Sequence, residues 1–236
     1  LFFLGSGIWV ALSMIGVSAI GMILFTSRPV GDAMATTIWG TASSWTLTAL
    51  PLFVWMGEIL FRTKLSENLF KGLSPWMQKL PGGLIHVNVV GCALFAAISG
   101  SSAATVATVG KMSIPELRKR RYPEKILLGS LAGSGTLGLL IPPSIILIIY
   151  GVAVQESIAK LFIAGIIPGI MIALIFMSYI IIWSLINKDQ MPKIFEKYSF
   201  FEKIKRSTQL LPVILLISGV IGSIYTGVAT ATEAAS

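Results

Sequence analysis

The chain has 236 residues, of which 55% are hydrophobic and only 12% charged, and its mean hydropathy is +0.85. That composition excludes an ordinary soluble domain and predicts an all-α polytopic membrane protein lying in a lipid bilayer. The net charge of +8 does not argue for a nucleic-acid partner, because the cations collect in the gaps between apolar runs, where they act as a topology signal.

A span needs about 20 apolar residues to cross roughly 30 Å of hydrocarbon. On that measure residues 1–26 form a first span and 39–61 a second, bent or broken near Pro51. Pro75 and Pro81 then frame an amphipathic stretch, with Trp76 as an interfacial anchor. Residues 83–110 are apolar, with the interruption Ser99-Gly100-Ser101-Ser102-Ala103-Ala104-Thr105 in their second half. Residues 126–154 are broken at Gly138-Leu139-Leu140-Ile141-Pro142-Pro143-Ser144. A long span at 158–186 contains Pro168, a polar loop with helical character covers 187–207, and a shorter span follows at 210–225. Every span carries Gly, Ala, Ser or Thr, as close helix packing in lipid favours.

Cys92 is the one cysteine, so neither a disulfide nor a cysteine metal cluster can be built within the chain; it is expected to fill a small gap in a helix. The sequence begins at Leu1 rather than Met and stops at Ser236 soon after a new polar motif has started, and is expected to be a piece of a longer protein. No cationic stretch precedes residues 1–25, which are too long and too evenly apolar for a signal peptide.

The cations set the orientation. Arg62, Lys64, Lys71 and Lys79 lie before residues 83–110, and Lys111, Arg118, Lys119, Arg120, Arg121 and Lys125 lie after them. Lys188, Lys193, Lys197, Lys203, Lys205 and Arg206 follow the long span. The positive-inside rule puts all three groups in the cytoplasm. The first two share a side only if residues 83–110 enter and leave by one face, as a re-entrant hairpin with its tip near Ser99 to Ser102. Two arms of about 14 residues, each roughly 20 Å long, reach past the membrane middle.

Irregular backbone survives at membrane depth only when buried in protein or lining a watery cavity. An alkali cation leaving water needs about six oxygen ligands and accepts neutral carbonyls and hydroxyls. A hairpin tip and a broken helix both expose main-chain carbonyls. Ser99, Ser101, Ser102 and Thr105 add hydroxyls, while Pro142 and Pro143 lack N–H groups, which strips carbonyls near Gly138 and Leu139 of intrahelical partners. No Asp or Glu lies in 83–110 or 126–154, so a cation site there works without a carboxylate. Half-helix N-termini after Gly100 and after Pro143 point partial positive charge at an anionic substrate, for which Ser102, Thr105, Pro142 and Ser144 are the candidate contacts. Either motif alone has a structural reading as helix packing or a proline kink.

Other polar residues have plainer expectations. His86 is a hydrogen-bonded packing or interfacial residue, Glu58 pairs with Arg62 one turn on, and Asn88 bonds across helices. Thr230 and Glu233 fit a capping box. No paired acids, zinc motif or Ser/His/Asp constellation lies within the spans, so an enzyme is not expected.

Ala97-Ile98-Ser99-Gly100-Ser101-Ser102-Ala103-Ala104-Thr105, Gly138-Leu139-Leu140-Ile141-Pro142-Pro143-Ser144, Tyr150-Gly151 and the run Ala159-Lys160-Leu161-Phe162-Ile163-Ala164-Gly165-Ile166-Ile167-Pro168-Gly169 together resemble the large membrane subunit of TRAP transporters. Pro51-Leu52-Phe53 with Met56-Gly57, and Thr232-Glu233-Ala234-Ala235, add to the resemblance. It implies a sodium-driven secondary transporter of the bacterial inner membrane, importing an organic acid. Its implied partners are a small four-helix membrane subunit and a periplasmic substrate-binding protein. It also implies inverted repeats and an elevator-type motion. In those terms residues 1–82 are scaffold helices and 83–154 a transport-type core. Residues 155–236 are further helices and the truncated start of a second repeat. Carried over by position, Ser99, Ser101, Gly138, Ile141 and Pro143 form a first sodium (Na+) site. A divalent-anion sodium symporter, which shares the hairpin-and-broken-helix plan but needs no binding protein, is the related alternative; a non-transporting scaffold subunit is another.

Overall fold

The computed structural model describes residues 5–63, 65–192 and 198–235. Lys64, Lys193 and Lys197, named above for orientation, lie outside them, as do residues 1–4 of the first expected span. The described residues form helices and turns, with no strand among them. They fall into two compact units, Leu1–Ser44 and Trp45–Ser236.

The first unit holds α1 (Val10–Phe25) and α2 (Val30–Ala42). α1 is apolar all round and most of its large side chains are exposed, as expected of a helix that faces lipid. The expected span at 39–61 is not one helix: α2 ends at Ala42, and α3 (Ala49–Arg62) starts the second unit after a short 3-10 turn, Trp45–Thr48. The division falls in a stretch of Ser and Thr. Ser43 Oγ donates to the Trp39 carbonyl at 2.7 Å, a local bond that competes with helix continuation. Pro51, expected to mark the bend, sits in the first turn of α3, where no N–H is needed.

The second unit is organised around a helical hairpin. α5 (His86–Ser99) and α6 (Ser102–Lys119) are joined by Gly100 and Ser101. α6 runs nine residues past the expected end at 110, so Lys111, Arg118 and Lys119 stand on its last turns instead of in a loop. α7 (Glu124–Gly135) continues through the 3-10 turn Thr136–Leu139 into the break, and α8 (Ile145–Val154) follows. The long α9 (Ile158–Ile186) keeps Pro168 inside it. α4 (Leu65–Met77), α10 (Phe200–Ser207), α11 (Leu211–Tyr225) and α12 (Ala231–Ala235) complete the unit. Ile158–Ile186 and Phe200–Tyr225 are long and apolar enough to cross a membrane.

The hairpin is the core. Val87, Cys92, Phe95 and Ile98 of α5 are fully buried, as are Val109 and Leu117 of α6 and Leu127 of α7. Cys92 fills its gap as expected. Asn88 Nδ2 donates to Ser130 Oγ at 3.0 Å and to the Leu127 carbonyl at 3.3 Å, tying α5 to α7. His86 is buried, with Nε2–H donating to the Pro81 carbonyl at 2.7 Å. The Leu84 N–H donates to the Tyr122 hydroxyl at 3.0 Å, linking the two ends of the hairpin.

The amphipathic α4 lies against α10. Trp76 Nε1–H donates to Ser207 Oγ at 2.8 Å and Lys203 Nζ stands 5.2 Å from the indole centroid. Trp76, expected as an interfacial anchor, makes a helix-to-helix contact here. Glu58 pairs with Arg62, and the Thr230–Glu233 capping box forms. A second capping box, Ser199 with Glu202, has the same sequence signature and escaped the sequence reading.

Candidate functional site

The hairpin tip and the break in the next helix meet. α5 ends because Gly100 takes the left-handed conformation (φ 58°), which a residue with a Cβ adopts only at a cost. Ser101 then returns to extended backbone and caps α6, its Oγ accepting from the Ala104 N–H at 3.4 Å. A Cβ on Gly100 would stand 3.2 Å from the Pro143 carbonyl oxygen, and one on Gly138 would stand 3.0 Å from the Ser102 nitrogen and 3.1 Å from the Ser101 carbonyl carbon. Backbone therefore approaches backbone across the junction in both directions.

On the hairpin side the hydroxyls form a small cluster. Ser99 Oγ and Thr105 Oγ1 lie 2.8 Å apart, both buried. Ser99 Oγ also lies 3.3 Å from the Ser101 carbonyl and accepts from the Ser101 N–H at 3.4 Å. Ser102 Oγ is buried and has no hydrogen-bond partner among the described residues. A buried hydroxyl without a partner is unusual and calls for a reason.

On the break side the 3-10 turn tightens, with the Leu140 and Ile141 N–H groups both donating to the Leu137 carbonyl at 3.0 and 2.8 Å. The Pro142–Pro143 peptide is cis. Neither proline offers an N–H, and the carbonyls of Gly138, Leu140, Ile141, Pro142 and Pro143 accept no hydrogen bond among the described residues. The Leu139 carbonyl does have a donor, Ser144 Oγ at 2.7 Å. Of the two carbonyls expected to lose their partners, only that of Gly138 is left open.

Ser144 also accepts from the Leu147 N–H at 3.5 Å as the cap of α8. Two helix N-termini, those of α6 and α8, converge on the junction. Their partial positive charge favours an anion, while the open carbonyls and hydroxyls favour a cation. Buried backbone carbonyls normally find donors; those of the buried Gly138 and Pro143 accept none among the described residues, and such oxygens, with the serine and threonine hydroxyls across the junction, are of the kind a hard cation accepts. Among the described residues no group of His, Cys, Asp or Glu could hold a metal.

Of the nine sequence-derived candidates, Ser99, Ser101, Ser102, Thr105, Gly138 and Pro143 stand at the junction, and Ser144 caps the helix that leaves it. The side chains of Ile141 and Pro142 turn away from the tip: a Cβ on Gly169 of α9 would meet Ile141 Cγ1 at 2.8 Å, and one on Gly165 would meet the Leu140 carbonyl at 2.8 Å and the Pro142 ring at 3.5 Å. The sequence reading missed the walls. Gly57 of α3 backs the tip, with a Cβ there 3.0 Å from the Ser99 Cα, and Gly165 and Gly169 back the break. Their signal was small residues inside apolar helices, too common to single out.

The family described as "Tripartite ATP-independent periplasmic transporter, DctM component" matches residues 1–236. The chain is 36% identical over 223 residues to the C4-dicarboxylate TRAP transporter large permease protein DctM of Pseudomonas aeruginosa, covering 94% of this chain and 51% of that protein. It is 34% identical over 233 residues to the sialic acid TRAP transporter large permease protein SiaM of Vibrio cholerae, covering 98% and 53%. With the ectoine/5-hydroxyectoine TRAP transporter large permease protein UehC of Ruegeria pomeroyi it shares 35% identity over 195 residues, 80% and 44%. The chain spans about half the length of the curated relatives it matches.

Proposed function

The chain belongs to the DctM family of TRAP transporter components, and from that premise we propose that it is the ion-binding first part of a large permease subunit importing an organic acid on a sodium gradient. One observation carries the sodium reading: the hairpin tip meets the broken helix in a stretch without carboxylates, where the carbonyls of Gly138, Ile141 and Pro143 accept no hydrogen bond among the described residues. Sodium requires only such neutral oxygens. Ser99 and Ser101, with the carbonyls of Gly138, Ile141 and Pro143, are its ligands in this proposal. Ser102 and Thr105 at the N-terminus of α6, and Ser144 at that of α8, face the carboxylate, while Pro142 turns its ring toward α9 and shapes the break.

The hairpin is re-entrant in this reading. α5 has 14 residues, about 21 Å at 1.5 Å per residue, too short for a core of roughly 30 Å. Its two ends carry Lys79 on one side and Arg118 to Arg121 on the other, which the positive-inside rule assigns to one face. The protein is then a multi-pass component of the bacterial inner membrane. In this reading the hairpin and broken helix are the transport-type core of an elevator mechanism and residues 1–82 supply its scaffold helices. A small membrane subunit and a periplasmic binding protein that delivers the acid complete the transporter.

The test is uptake into proteoliposomes containing the full-length large subunit with its small subunit, with and without the binding protein. Ser99→Ala should raise the half-saturating sodium concentration about tenfold, the order expected for one bond to a charged ligand. Unchanged sodium dependence would remove the proposed site. Uptake that needs no binding protein would favour the divalent-anion type of symporter instead.

A further inference from the structure

Helices α7 and α9 run antiparallel and leave between them a groove of about 590 Å³. Its floor is apolar: Ile126 and Ile180 are 4% and 1% exposed. Gly129 opens onto empty space, since a Cβ there would meet nothing within 4 Å. The hydroxyl of Ser130 is already engaged, accepting from Asn88 and donating to the Leu127 carbonyl at 2.9 Å. The deep end is closed where Gly133 packs on the Phe176 ring.

The other end holds Lys125 and Trp183. That end lies at the first turn of α7, just after Arg118 to Arg121 in the sequence. Lys125 makes no salt bridge among the described residues, and the neighbouring carboxylate of Glu124 is taken by Arg118 at 2.7 Å. An apolar slot with a cation and an indole at one mouth has the chemistry of a phospholipid site: the aromatic ring sits at headgroup level and the lysine meets the phosphate.

From this geometry we propose that the α7–α9 groove seats an acyl chain of an acidic phospholipid, with its phosphate at Lys125. That the lipid belongs to the cytoplasmic leaflet rests on the orientation proposed above; the slot and its chemistry do not. A partner helix fits less well, because close helix contacts in lipid favour small residues on both facing ridges, and only the α7 wall, with Gly129 and Ser130, supplies them. The α9 ridge here is Ile175, Phe176, Tyr179 and Trp183.

The experiment uses the delipidated large and small subunits in detergent, with thermal unfolding followed as phosphatidylglycerol or phosphatidylcholine is added. Wild type should be protected by both, and more by phosphatidylglycerol. Gly129→Trp, which fills the slot without meeting another atom at its Cβ, should lose protection by both. Lys125→Gln should keep the response to phosphatidylcholine and lose about fivefold in apparent affinity for phosphatidylglycerol. Full protection of Gly129→Trp overturns the proposal, as does release of the small subunit by that variant with its lipid response intact. If Gly129→Trp does not fold, Lys125→Gln decides alone, and an undiminished preference for phosphatidylglycerol overturns it. No sodium or substrate is present, so failure here leaves the transport proposal standing.

Discussion

Gly138 and Ser102 touch through their main chains: a methyl group added at Gly138 would stand 3.0 Å from the Ser102 nitrogen. The contact joins the 3-10 turn that precedes the break to the first residue of α6. Neither partner is a flexible side chain that can swing aside.

Gly138→Ala should therefore force the tip and the break apart. Inserting a methyl into close-packed backbone costs about 1–3 kcal/mol. The expected outcome is a lower unfolding temperature together with loss of sodium-dependent uptake. An alanine variant with wild-type uptake would mean that the junction does not need this approach.

Ser102→Ala separates a structural from a binding role. Its hydroxyl has no partner among the described residues, so removing it should leave the unfolding temperature unchanged or slightly raised. In the role proposed for it, against the carboxylate, its loss should raise the KM for the organic acid about tenfold, one charge-assisted bond. Ser99→Ala acts on the sodium dependence, so kinetics in both variables distinguish the two serines.

Tyr122→Phe tests the base of the hairpin. The Tyr122 hydroxyl accepts from the Leu84 N–H, and burial, opposed by that bond and by the nearby Arg120, raises its pKa above the usual 10. The phenylalanine variant leaves a buried donor unsatisfied and should cost about 1–3 kcal/mol of stability, with no change in sodium dependence. Because the folded protein holds the phenol neutral, its contribution is complete below the ordinary tyrosine range and fades as pH rises through the raised pKa.

Glu233 predicts the opposite pH dependence at α12. Its carboxylate accepts from the Thr230 N–H at 2.8 Å and from the Thr230 hydroxyl, which lowers its pKa. The cap is present in full above the ordinary carboxylate range and is lost as pH falls through the lowered value. Hydrogen exchange at residues 231–235 of the full-length protein should accelerate on acidification, and Glu233→Gln should flatten that response. Exchange independent of pH, after correction for intrinsic rates, would show that the carboxylate does not hold the cap.

The two irregular stretches were readable in the sequence because their causes are local. Gly100 permits the left-handed turn, and two prolines without N–H groups must open a helix wherever it lies. The Thr230 bond was readable for the same kind of reason, a short polar side chain with its partner three residues on, whereas for Asn88 only the need of a buried amide for a partner on another helix was legible, not that the partner is Ser130. The division of 39–61 was not, because apolar content alone does not weigh Ser43 bonding back onto Trp39 against one more helical turn. Nor was the partner that Ser144 supplies to the Leu139 carbonyl, which depends on how the chain folds back between them. The walls at Gly57, Gly165 and Gly169 depend on which helices become neighbours, a tertiary fact that no spacing within one segment records.

The close approaches at Gly57, Gly138 and Gly165 are made by the absence of a side chain, and mutation treats them accordingly. Any missense change in a glycine codon adds at least one carbon to the backbone, so none of these positions has a neighbouring allele that keeps the fit. Ser101 and Thr105 stand differently, since serine and threonine codons interconvert by a single base and either residue retains a hydroxyl. The junction can thus drift in its hydroxyls one nucleotide at a time while the surfaces behind them stay fixed.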